Sequence, residues 1–170
     1  MKQTLTNYFK NLAYLVVIAG FGTVYAGSYD DFFQAVLTDQ PAPVKRLLER
    51  GFDANTLDPK GLHGLYIALQ EPSLKVAQVL VEWPKTDVNI LNAKDESPLM
   101  LAALKGHQQM AEKLVKRGAD VNKTGWAPLH YAASNGHLTI IAMLIENSAY
   151  IDAESPNGST PLMMAAMYGT

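Results

Sequence analysis

Ser97-Pro98-Leu99-Met100-Leu101-Ala102-Ala103-Leu104-Lys105-Gly106-His107 and Ala127-Pro128-Leu129-His130-Tyr131-Ala132-Ala133-Ser134-Asn135-Gly136-His137 are two copies of one stretch. Laid over each other, they share Pro-Leu, Ala-Ala and Gly-His at the same offsets. Their apolar continuations, through Asn122 and Asp152, stay in register as well. Thr160-Pro161-Leu162-Met163 opens a further copy. Several spaced residues coincide within each unit, so the chain is a repeat whose units bury their apolar sides on one another.

Within one unit the local chemistry is that of two short helices. Pro98 and Pro128 stand where a first helical residue needs no amide hydrogen, and Ser97 is a natural N-cap. Leu99, Ala102 and Ala103 follow at helical spacing, the alanines small enough for a close neighbour. Gly106 and Gly136 end that helix. A second helix is expected over 108–117 and again over 138–147. Met110, Ala111, Leu114 and Val115 mark its buried face. Gly118 stops it, and Lys116 and Arg117 suit the negative end of its dipole.

This pattern resembles the ankyrin repeat, whose signature is Thr-Pro-Leu-His-x-Ala and whose period is about 33 residues. Ser97-Pro98-Leu99-Met100, Ala127-Pro128-Leu129-His130 and Thr160-Pro161-Leu162-Met163 are three versions of it. The resemblance implies an all-α solenoid of stacked helix pairs with β-hairpin-like loops, here of a bacterial exported type. It implies in turn a non-catalytic module that binds a protein partner on its concave face. A cell-envelope inhibitor or stabilising companion of an exported enzyme or toxin is the alternative.

The rest of the chain is read outward from these copies. Residues 28–57, 58–91, 92–122 and 123–154 are expected to form four repeats, with a partial fifth over 155–170. The first is degenerate, with Asp30, Asp31 and Gln34 giving it the polar character of a cap and Phe32 and Phe33 packed inward. In the second, Gly64 takes the proline position, His63 is placed in a loop, and Ser73 is expected to cap a helix over 74–82. The loops fall at about 51–62, 84–96, 118–127 and 148–160. The third is short: Pro98 to Pro128 spans 30 positions and Pro128 to Pro161 spans 33. The fifth copy exposes Met163, Met164 and Met167 and is expected to be a piece of a longer repeat protein.

The first 26 residues read differently. Lys2 and Lys10 precede an apolar run from Leu12 to Val24, and Val24-Tyr25-Ala26 offers small residues at a cleavage site. The run is shorter than the roughly 20 residues that span a bilayer. A cleavable secretory signal over 1–26, cut near Ala26, is expected; an uncleaved anchor and a buried first helix are the alternatives. The mature chain would be periplasmic or secreted, with no membrane contact after signal removal. Its net charge moves from −2 to −4, because two lysines and no acids leave. That balance argues against nucleic acid as a partner.

Of 170 residues, 48% are hydrophobic and 18% charged, the balance of a folded chain, and the absence of cysteine excludes disulfide and thiol chemistry. His63, His107, His130 and His137 form no metal-binding or catalytic spacing, and no nucleophile elbow or phosphate loop is present. The chain is therefore read as no enzyme, with no catalytic residues, no cofactor and no metal. The resemblance carries the binding surface onto Leu62, Gln70, Glu71, Glu96, Leu104, Lys105, Trp126, Ser134, Asn135, Ser159, Met167 and Tyr168. Trp126 is singled out as an indole at an exposed loop tip, the position of an interface anchor. A monomer is expected.

Overall fold

A computed structural model of the chain describes residues 27–169; the leader expected over 1–26 lies outside them. Nine helices and no β-strand occur among the described residues. They are α1 (27–37), α2 (Pro41–Glu49), α3 (Gly64–Gln70), α4 (Leu74–Glu82), α5 (Pro98–Lys105), α6 (Gln108–Lys116), α7 (Pro128–Ser134), α8 (Leu138–Glu146) and α9 (Pro161–Tyr168). The odd-numbered helices from α3 onward touch in sequence along one layer, and α2, α4, α6 and α8 touch along the other. The result is the stacked all-α solenoid expected from the repeats, with Leu57 and His63 pairing as an isolated antiparallel bridge in the first hairpin.

The helix ends follow their residues. Ser97 Oγ accepts the Met100 amide at 3.2 Å, and Thr160 Oγ1 accepts that of Met163 at 3.3 Å. Gly106 closes α5 at φ 72°, and a Cβ there would lie 2.7 Å from the His137 ring, so both conformation and space demand glycine. At the same turn of the first repeat stands Asp39, also at positive φ. Its Oδ1 accepts the Val76 amide at 3.0 Å and thereby caps α4. Ser73 makes no side-chain cap, contrary to expectation, because the neighbouring repeat already supplies one.

One core runs through the stack. Phe32, Leu65, Leu80, Leu99, Leu114 and Leu144 belong to it, as do Leu129, Ala102 and Ala132. Phe33 joins Phe32 inside it, the two rings meeting edge to face at 5.2 Å. The joint between the second and third repeats is irregular, since Trp83-Pro84-Lys85-Thr86 replaces a tight glycine turn. Arg117, at the end of α6, donates its guanidinium to the carbonyls of Val81, Trp83, Pro84 and Thr86. A planar five-donor group thus gathers the carbonyls that a helix end leaves open.

Candidate functional site

The surface expected to bind is built by hairpins and by the ends of the inner helices. Three hairpin tips share one construction. Asp58 Oδ1 accepts the amides of Lys60 and Leu62, each at 2.8 Å. Asn92 Oδ1 accepts those of Lys94 and Glu96, and Ser155 Oγ accepts that of Ser159. A side-chain acceptor that mimics a turn carbonyl is what Asp, Asn and Ser supply. The short loop at 118–127 has no such tip; Lys123 instead bridges Asp95 and the Thr124 carbonyl.

Behind the tips, each loop is tied to the next by an asparagine. Asn55 donates to the Lys85 carbonyl and accepts the Asp87 amide. Asn89 does the same with Gly118 and Asp120, and Asn122 with Ser148 and Tyr150. Tyr150 therefore holds the place of Asp120, and Asp152 that of Asn122. Asp53, Asp87 and Asp120 recur at the place Tyr150 holds, and in the fourth copy the aspartate, Asp152, comes two residues later. Among the described residues no group of three or more His, Asp or Glu could hold a metal ion.

The fourth signature position decides how a repeat grips the next hairpin. His130 fills it: Nδ1 accepts the Ala127 amide at 3.2 Å, and Nε2 lies 3.0 Å from the carbonyls of Ala153 and Ser159. In the second repeat Tyr66 stands there and donates to Glu96 Oε2 at 2.7 Å, a carboxylate that Asn92 also contacts. Burial, then that hydrogen bond, pushes the Tyr66 phenol up. Tyr131 is raised by burial and next by Glu96 and Asp95. In the third repeat Met100 stands there; its sulfur only accepts, from the Ser97 amide at 3.2 Å, and the hairpin that follows, 118–127, is the one without a tip.

Trp126 lies in that shortened hairpin, and here the structure corrects the expectation. The indole is half-buried, its centroid 5.4 Å from the His130 ring and 6.2 Å from that of Tyr131. Without a hairpin tip to project from, it folds back on α7 and has a packing role of its own. Leu62, Glu96, Leu104 and Ser134 are also half-buried, whereas Lys105, Asn135, Met167 and Tyr168 are exposed. Ser134 Oγ donates to the Tyr131 carbonyl, and Asn135 Nδ2 reaches back to that of Leu104 at 2.7 Å. His107 and His137 make the same kind of reach, Nε2 lying 3.1 Å from the Leu69 and Leu104 carbonyls.

His63 stands in the hairpin, as expected, where it pairs with Leu57 at the N-cap position of α3. It is 1% exposed, and neither ring nitrogen has a hydrogen-bond partner. Burial lowers its pKa to about 4, against the opposing pull of Asp87. The signal in the sequence was positional: His63 aligns with Ser97, Ala127 and Thr160, immediately before the first helical residue.

Comparison with known proteins agrees with the repeat fold. A family model described as ankyrin repeats in three copies matches residues 32–124 and 121–170. The chain is 35% identical over 124 residues to neurogenic locus notch homolog protein 1 of Xenopus tropicalis, covering 71% of this chain and 5% of that protein. The human protein of the same name is 34% identical over the same length, with the same shares covered. The B-cell lymphoma 3 protein homolog of Mus musculus is 28% identical over 142 residues, 79% of this chain and 32% of that protein. The chain thus spans about a twentieth of the length of these notch relatives.

Proposed function

This chain belongs to the ankyrin-repeat family, and on that premise we propose that it is a non-catalytic module holding a protein partner on the concave side of its stack, outside the cytoplasm. The observation that carries the reading is the aromatic pair at the short hairpin. There Trp126 and Tyr131 are half-exposed with ring centroids 6.2 Å apart, Tyr131 lies beside Leu104, and the exposed Asn135 donates to the Leu104 carbonyl next to the exposed Lys105. Half-exposed aromatics with a polar surround fit a protein interface better than a charged nucleic-acid track. Glu96 and Ser134 hold this surface in place, and Leu62, Met167 and Tyr168 extend it toward the two ends of the stack. Among the described residues no helix is long and apolar enough to cross a membrane. The lysines at 2 and 10 and the apolar run after them support export.

The test combines a mutation with a mass measurement. Cross-linking in the host's envelope fraction identifies the partner, and binding is compared between the natural chain and Trp126→Ala. The substitution is expected to weaken binding by about 2 kcal/mol or more while costing about 1 kcal/mol of stability through its lost ring contacts. Unchanged binding removes Trp126 from the interface. Mass spectrometry of the natural protein is expected to find Gly27 at its N-terminus; an intact Met1 on cytoplasmic protein refutes export.

A further inference from the structure

A groove of about 550 Å³ opens on the same side of the stack at the first two repeats, bounded by α1, α3 and the hairpin between α2 and α3. Its apolar lining comes from Tyr29, Phe33, Leu62 and Ile67. The Tyr29 and Phe33 rings are 4.9 Å apart, and the Tyr29 hydroxyl donates to the Leu57 carbonyl at 3.1 Å, which holds the hairpin against α1. The groove is therefore braced rather than closed by a movable loop.

Leu37, on the last turn of α1, also lines the groove and is 54% exposed. It holds the position of Gln70, Leu104, Ser134 and Met167 in the later repeats. An apolar side chain left in water beside an apolar slot gains from any ligand that covers it. The charges at the groove are unequal: Asp30, Asp58 and Glu71 line it together with a single ammonium, Lys60. Asp58 is engaged by the hairpin amides, whereas Asp30 and Glu71 are exposed and in no ion pair among the described residues. An apolar slot with a net negative edge favours an apolar group that brings a cation with it.

We infer that this groove receives the anchor of a partner segment in which one or two large apolar side chains stand next to a lysine or arginine. The inference rests on the protein-binding reading and names the chemistry of the partner, with an anchor at the first two repeats in addition to the contact at Trp126.

Short random peptides displayed on phage test it, selected on the full chain and in parallel on Leu37→Glu and on the double variant Asp30→Lys, Glu71→Lys. All three positions are exposed, and a thermal melt of each variant checks that it is folded. The natural chain is expected to enrich sequences that join Leu, Met or Phe to Lys or Arg. A synthetic peptide of that consensus should bind Leu37→Glu at least tenfold more weakly and lose affinity as salt is raised. The charge-reversed variant should enrich acidic sequences instead. A consensus without basic residues, no consensus, or binding indifferent to Leu37→Glu overturns the inference. If binding survives Leu37→Glu but is lost in Trp126→Ala, the groove fails while the protein-binding reading stands. A synthetic peptide of residues 1–26 that displaces the selected peptide would make this chain's own leader the occupant, and overturns the partner assignment.

Discussion

Leu129 and Leu162 stand at the same place in the same motif, one residue after the proline that begins an inner helix. Leu129 is 3% exposed and Leu162 is 77% exposed. Both helices have the same cap position, the same proline and the same small residues in their middle. What differs is the neighbour. The repeat of α7 is completed by α8 and followed by α9, whereas no outer helix accompanies α9 among the described residues. Met163, Met167 and Tyr168 share the exposure of Leu162. A repeat motif specifies the direction of a side chain, and the adjacent unit specifies whether that direction leads into a core.

The sharpest way to break this comparison is to make one substitution twice. Leu129→Ala is expected to cost about 2–5 kcal/mol, the range for removing a packed leucine. Leu162→Ala is expected to stay within about 0.5 kcal/mol, as surface changes do. Denaturant melts measure both; equal losses would mean that α9 is covered in solution.

His63 sharpens the interior side of the comparison. Its folded pKa, about 4, lies below the ordinary value of 6.5, so the unfolded chain binds the extra proton first. Its contribution to stability is complete above pH 6.5 and is lost as pH falls toward 4, by about 3 kcal/mol. His63→Leu should flatten that part of the stability–pH curve, with no new unpaired group created. An unchanged pH dependence in the variant would show that the imidazole is not the group responsible.

Arg117→Ala should cost about 1–3 kcal/mol, because several carbonyls around the irregular turn lose their donor together. Arg117→Lys should recover only part of it, since an ammonium lacks the planar fork. Full recovery in denaturant melts would reduce the arginine to a mere positive charge. The smallest effect needs no mutation. Amide exchange is expected to be slowest in α5 and α7 and fastest in α9, whose helix has one packed side. Protection of α9 equal to that of α7 would reveal a further cover.

The repeat units, both helices in each and most of their ends were legible in the residues. Proline, glycine and capping side chains act over one turn, so their effect does not wait for distant contacts. The surface was legible only as a set of positions. Trp126 was read as projecting because a hairpin normally carries such a residue outward; the loop is three residues too short for that, and the ring packs on His130 and Tyr131. Ser73 was read as a cap by its residue type, yet Asp39 reaches Val76 from 37 positions away. Such a bond depends on how two repeats are set against each other, which no local pattern contains.

From the amino-acid order alone come the period, the all-α repeat and the absence of cysteine chemistry, because each depends on residue type and spacing within one unit. Tertiary structure alone decided which signature leucine is buried, that asparagines 55, 89 and 122 tie successive loops, and that Tyr66 with Glu96 replaces the histidine contact of the fourth repeat. It also decided that Leu37 lies beside a groove with an acidic edge. The physical reason is common to these cases: burial and long-range hydrogen bonds are properties of two surfaces brought together, and the second surface belongs to another part of the chain.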